Sequence, residues 1–124
     1  MVKPIQSVLI AGFGVMGKGV ATSFHDAGFN VTILTRDPAR VLAVAPEGMQ
    51  AVSELPHEAP DFVSENFPEG IPPKQALFAE MEAKWGGATV ISTNTSGLDL
   101  EELAKPLQYK ENFLGVHYLQ PAEA

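Results

Sequence analysis

The chain contains no cysteine. That excludes disulfides, thiolate metal sites and a cysteine nucleophile, and it agrees with a reducing cytosol, so a cytoplasmic protein is expected. Positive charge is scarce as well. Eight Lys and Arg stand against fifteen Asp and Glu, a formal net charge of −7. Such a balance argues against a large nucleic-acid surface. It does not exclude an anionic ligand, because backbone N–H groups and one or two local cations suffice to hold one. No apolar run approaches the roughly 20 residues that span a bilayer. Met1 to Pro4 lead straight into a strand-like segment without a secretory apolar core. Neither nucleic acid nor membrane is therefore expected as a partner. Histidine occurs only at 25, 57 and 117, too scattered for a metal site, and no metal is expected. There is no internal repeat and no low-complexity tract.

What is present is a chain of 124 residues with 45% apolar content, enough for one domain with one continuous core and no staples. Segments of two periods alternate. Ser7-Val8-Leu9-Ile10-Ala11 is a continuous apolar run of the kind found in strands buried on both faces. A helical stripe of Met16, Val20, Phe24 and Ala27 follows, closed by Gly28. Val31 to Leu34 reads as a second buried strand. Asp37-Pro38 reads as a helix cap with proline in the first turn, opening a short helix to about Val44. Gly48 to Val52 suggests a third strand, 53–61 a loop with two prolines, and Asp61 to Ser64 a fourth strand. Pro68, Gly70, Pro72 and Pro73 predict a turn, and the helix is expected from Lys74 to Trp85, with Leu77, Phe78, Met81 and Trp85 on one face. Thr89 to Ser92 is a β-branched strand. Asp99 to Glu102 has capping-box spacing for a short helix ending before Pro106, and Phe113 to Leu119 is a last strand. This alternation predicts an α/β fold with a mostly parallel, doubly wound sheet. Trp85 and the helical phenylalanines are expected in the core, and His25, His57, Glu101 and Glu102 in solvent.

Gly12-Phe13-Gly14-Val15-Met16-Gly17 follows the first strand and opens the first helix. Gly12 permits the tight turn, Gly14 lets the backbone approach a pyrophosphate, and Gly17 lets helix and strand pack closely. The helix start, with Val15 and Met16, then offers N–H groups and a positive dipole end to an anion. A bare GxGxxG is weak evidence, but here a strand precedes it and a helix follows. A single Rossmann-type dinucleotide-binding domain over residues 1–124 is the expected reading. Cofactor choice is less sharply written. NAD-specific domains usually carry Asp or Glu at the end of the second strand. Thr35 occupies that slot, and the guanidinium of Arg36 beside it suits a 2′-phosphate. Asp37 is acidic but reads as a cap, and a register one residue different would bring it to the ribose. NADP is favoured, and NAD stays open.

The second half carries rows of small polar side chains at two strand ends, Ser92-Thr93-Asn94-Thr95-Ser96-Gly97-Leu98 and Gly115-Val116-His117-Tyr118-Leu119-Gln120-Pro121. Ligands in open α/β sheets bind at such carboxyl ends. With GFGVMG at Gly12 to Gly17, and with Glu65-Asn66-Phe67-Pro68-Glu69 followed by Lys74-Gln75-Ala76-Leu77-Phe78, these segments resemble the NAD-binding domain of the 3-hydroxyacyl-CoA dehydrogenase family. The likeness runs along nearly the whole chain in one order. It implies an oxidoreductase of fatty acid metabolism that moves a hydride between a 3-hydroxyacyl substrate and nicotinamide. His117 matches the family's catalytic base, Ser96 a serine bonded to the substrate oxygen, and Asn94 an asparagine near cofactor and substrate. Glu69 and Lys74 match residues along the nicotinamide half of the cofactor, and Gln120 replaces an Asn there, one methylene longer. Imidazole chemistry near pH 7 suits proton exchange with a hydroxyl, and hydroxyl and amide donors suit an oxygen on which charge develops.

The sequence also departs from that family. Tyr118-Leu119 replaces Phe-Phe and Gly97 replaces a second Ser. The stretch between the second strand and Glu65 is short, as if a helical excursion that contacts coenzyme A were missing, so the acyl-CoA substrate and a related small hydroxy acid both stay open. The sequence stops at Ala124, before the Glu that orients the family's histidine and before its helical dimerisation domain. A fragment of a longer, homodimeric enzyme or a truncated relative is expected. Two rivals stand beside the dehydrogenase: a nucleotide-binding module or sensor without turnover, and a reductase of the hydroxyisobutyrate dehydrogenase type, suggested by Thr35-Arg36.

Overall fold

The computed structural model describes residues 5–12, 15–45, 47–67, 70–94 and 100–116, with Val15 and Met16 described along the main chain. Six strands form one sheet: β1 (Ser7–Ala11), β2 (Asn30–Leu34), β3 (Gln50–Val52), β4 (Phe62–Glu65), β5 (Val90–Asn94) and β6 (Phe113–Val116). Their order is β3-β2-β1-β4-β5-β6, and every pairing is parallel. The helices between them are α1 (Val15–Asp26), α2 (Pro38–Leu42), α3 (Ile71–Trp85) and α4 (Leu100–Ala104).

The apolar run of β1 is buried throughout, and its alternating side chains feed two cores. Val8 and Ile10 pack with Val20 and Ala21 of α1, Val41 of α2, and Val31 and Ile33 of β2. Leu9 and Ala11 face the other way, onto Phe78, Met81 and Trp85 of α3 and Leu103 of α4. A strand covered by helices on both sides has no solvent face, which is why its sequence shows no alternation. Trp85 and Phe78 lie in the core as expected. His57, Glu101 and Glu102 are exposed, while His25 is half-buried, its ring near the backbone of Gly48.

Two elements differ from the sequence expectation. Helix α3 begins at Ile71, with Pro72 and Pro73 inside its first turn rather than before it. The first N–H groups of a helix have no partner within it, so proline loses nothing there. Helix α2 stops at Leu42, short of Val44. The link from β3 to β4, residues 53–61, contains no helix. It is pinned instead by side chains from the far side: Trp85 Nε1 donates to the Pro56 carbonyl at 3.0 Å and Thr89 Oγ1 to the Pro60 carbonyl at 2.7 Å. Leu55 and Ala59 of the link pack onto the α3 core.

Candidate functional site

Strands β1 and β4 are neighbours, although two strands and two helices separate them in sequence. At this switch point the chain leaves β1 toward one face and β4 toward the other, opening a crevice at the carboxyl edge. Gly12 follows β1 with φ of 95°, a conformation that disfavours any side chain. Its N–H donates to the Leu34 carbonyl at 3.1 Å. A Cβ on Gly12 would lie 3.2 Å from the main chain of Asn66 and from the Phe67 ring. A Cβ on Gly17 would collide with the Gly12 carbonyl oxygen. Both glycines are thus required by close packing where β1, α1 and the end of β4 meet.

The end of β4 holds a buried charged cluster. Glu65 is wholly buried and Lys74, on the first turn of α3, is 2% exposed. Lys74 Nζ reaches Glu65 Oε1 at 2.6 Å and Oε2 at 2.7 Å, and donates to the Phe67 carbonyl at 3.0 Å. Glu65 also accepts from Thr93 Oγ1 at 2.5 Å and from the Phe67 N–H at 2.7 Å. Both main-chain groups of Phe67 are therefore tied to one ion pair, and the Phe67 ring rests against Gly12. One residue on, Asn66 donates its N–H to the Ala11 carbonyl at 2.8 Å, and its side chain meets Asn94 at the end of β5.

A cleft of about 670 Å³ opens beside this cluster. Thr35 and Arg36 after β2, Leu55 in the 53–61 link, Phe67 after β4, and Leu77 and Lys84 on α3 line it. Asp37 caps α2, its Oδ1 accepting from the Arg40 N–H at 3.2 Å. Thr35 Oγ1 accepts from the Asp37 N–H at 3.3 Å, which closes the local turn. Arg36 is exposed at the cleft mouth.

Of the residues singled out from sequence, Gly12, Gly17 and Asn94 gather around the β1–β4 crevice, and Thr35, Arg36 and Lys74 line the adjoining cleft. Gly14, Glu69, Ser96, His117 and Gln120 lie outside the described residues. Sequence reading gave no role to Glu65, Asn66 or Thr93. The signal for Glu65 was an acidic residue ending the strand Phe62-Val63-Ser64-Glu65, with a lysine at the start of the next helix.

A parallel sheet in this order, with a glycine turn at its switch point, defines a Rossmann-type dinucleotide-binding domain. The chain belongs to the 3-hydroxyacyl-CoA dehydrogenase NAD-binding domain family, whose model matches residues 47–124. The ketopantoate reductase (PanE/ApbA) model also matches, over residues 8–78. A probable 3-hydroxyacyl-CoA dehydrogenase from Caenorhabditis elegans is 29% identical over 147 residues, taking in 94% of this chain and 49% of that protein. The peroxisomal bifunctional enzyme of Cavia porcellus is 27% identical, over 97% of this chain and 20% of its own length. Among solved structures, the dehydrogenase part of multifunctional enzyme 1 from Caenorhabditis elegans superposes with a TM-score of 0.86 at 27% identity, covering 98% of this chain and 33% of the other. The chain thus spans a fifth of one of these two relatives and about half of the other. Among the described residues, no helix is long and apolar enough to cross a membrane.

Proposed function

We propose that the chain is the cofactor-binding domain of an NAD(P)-dependent oxidoreductase acting on a 3-hydroxyacyl or related hydroxy acid substrate, with NADP preferred to NAD. The observation that carries this reading is the packed glycine turn at the β1–β4 crevice, where a Cβ at Gly12 or Gly17 would fill the space. A pyridine dinucleotide fits the donor set there: main-chain N–H groups at the start of α1 for the diphosphate, and the cleft beside Thr35 and Arg36 for the adenosine ribose. Bound there, the cofactor supplies hydride transfer. In this reading Val15 and Met16 contribute main-chain donors, and Lys74 and Glu69 shape the nicotinamide side, where Gln120 also contacts the cofactor. His117 exchanges the proton of the substrate hydroxyl, and Ser96 and Asn94 hold the reacting oxygen. Preference for NADP rests on charge. At the β2 terminus Arg36 offers a guanidinium and Asp37 uses one carboxylate oxygen as a helix cap; Glu54 and Glu80 also line the cleft, so the preference rests on Arg36 alone. The stretch from β2 to β4, where the five-residue α2 is the helix described, favours a hydroxy acid that does not depend on a coenzyme A excursion. A homodimer and a cytoplasmic setting complete the reading, the first from the family likeness and the second from the absence of cysteine.

The test is fluorescence enhancement of NADH and NADPH on titration with the protein, followed by oxidation of each by acetoacetyl-CoA and by acetoacetate. Tighter NADPH binding and turnover lost in His117→Ala are expected. Binding without turnover would leave a nucleotide-binding module, and turnover that survives the substitution would remove His117 from the chemistry.

A further inference from the structure

Asn66 sits at the switch point, and the bonds around its carboxamide have a polarity that follows from one fixed acceptor. Asn66 Nδ2 lies 3.0 Å from the main-chain carbonyl oxygen of Ser64 and 3.2 Å from Ser64 Oγ. A carbonyl only accepts, so the nitrogen of the Asn66 amide must face it. Asn66 Oδ1 therefore faces the other way, toward β5, and can only accept there. Asn94 meets it with Nδ2 at 3.0 Å. The amide of Asn94 is thereby oriented as well: its nitrogen is turned inward to Asn66 and its carbonyl oxygen outward. Ser64 is itself immovable, since it is wholly buried in the centre of the sheet. Main-chain ties hold the middle of the relay too, through the Asn66 N–H on the Ala11 carbonyl.

We infer that Asn66 is a positioning residue that makes Asn94 present a hydrogen-bond acceptor at the carboxyl edge, selecting a donor group, a hydroxyl or carboxamide N–H, on the nicotinamide-riboside half of the cofactor. This rests on the pyridine-dinucleotide reading above. Without the relay the Asn94 amide turns either way and presents its N–H₂ as readily as its oxygen. The backbone contribution of Asn66 to the glycine turn, by contrast, survives any side chain at position 66, because it comes from main-chain atoms. The side chain and main chain of one residue thus serve different halves of the ligand.

The experiment compares three ligands on four proteins. ADP lacks the whole nicotinamide riboside, ribose hydroxyls included, while NADH and NADPH carry it. The full chain, Asn66→Ala, Asn66→Leu and Asn94→Ala are titrated with each. Losing one neutral hydrogen bond corresponds to about five- to tenfold in Kd. Asn94→Ala is expected to bind NADH and NADPH about five- to tenfold more weakly, and Asn66→Ala and Asn66→Leu about twofold more weakly because half of the Asn94 amides are then turned the wrong way, with ADP binding unchanged in all three. Asn66→Leu is the decisive variant: it keeps the branched shape but offers Asn94 no acceptor. The side-chain N–H₂ resonance of Asn94 should also move in both Asn66 variants. Equal weakening of ADP and NADH would show a merely structural role and overturn the inference, as would unchanged NADH binding in Asn66→Leu. If Asn66→Ala does not fold, Asn66→Leu, which keeps the side-chain volume, reads the same contact. A parent chain that binds none of the three ligands removes the cofactor reading itself, a result distinct from a parent that binds all three and is indifferent to position 66.

Discussion

Replacing Lys74 by methionine isolates the contribution of the buried ion pair to the fold and the site. Methionine matches the length and apolar stem of lysine, so little packing is lost, but Glu65 is left without its cation in a position with no solvent exposure. Two donors stay with the carboxylate, Thr93 Oγ1 and the Phe67 N–H, and they do not neutralise it. Breaking a buried pair by removing one partner costs about 3–5 kcal/mol. For a domain whose total stability is on the order of 5–15 kcal/mol, that is a large share. With a urea slope of about 1.5–2 kcal/mol per molar, the midpoint should fall by about 2 M. Adding Glu65→Gln should recover at least half of the loss. The glutamine carbonyl can accept from the Phe67 N–H, and its Nε2 can donate to Thr93 Oγ1, because a hydroxyl both donates and accepts. Urea unfolding followed by Trp85 fluorescence measures all three proteins. A single variant within 1 kcal/mol (about one hydrogen bond) of the parent would refute the reasoning, and so would a double variant no more stable than the single.

Further substitutions probe the other parts. Gly17→Ala puts a methyl group onto the Gly12 carbonyl, so α1 must move off the turn; dinucleotide affinity should drop at least tenfold, as read by NADH and NADPH titration. Arg36→Ala should weaken NADPH by about tenfold to a hundredfold, the worth of a charge-assisted bond, while leaving NADH within about twofold; equal effects on both would assign the cleft mouth no role in cofactor choice. Asp37→Ala removes the α2 cap and should cost about 1 kcal/mol in thermal or urea unfolding, with little change in affinity. Glu82 accepts the N–H groups of Gln108 and Tyr109 at 2.8 Å, tying α3 to the segment that precedes β6. Its replacement by alanine should cost about 1–3 kcal/mol and raise hydrogen exchange at those two amides first.

Much of the fold was legible in the chain because its signals are local. A strand flanked by helices on both sides must be apolar at every position, and Val8 to Ala11 is. The glycine turn is legible for a similar reason: Gly12 and Gly17 stand where a Cβ has no room. Asp37-Pro38 declared a helix start, since the cap bond spans only three residues. Other features misled or stayed silent. Pro72 and Pro73 read as a turn, yet both fit the first turn of α3, where absent N–H groups leave no bond unmade. Lys74 carries the family pattern for a cofactor contact, and what stayed silent is that its ammonium is engaged by Glu65, buried beside the cleft. Periodicity does not reveal a buried charge, because it reports which face a residue occupies and not which charge meets it there.

By itself the sequence determined where strands and helices lie, that the sheet is parallel, and that β1 hands over to α1 through a turn that has no space for side chains. The elements and their alternation follow from patterns over a few residues, although the lack of room at Gly12 comes from Asn66 and Phe67 across the sheet. Only the tertiary structure decided that β4 lies beside β1, that Thr93 and Lys74 converge on Glu65, and that Ser64 sets the direction of Asn66 and Asn94. Those contacts join residues on different strands and helices, and the energy that selects them comes from burying the whole sheet between two helical layers.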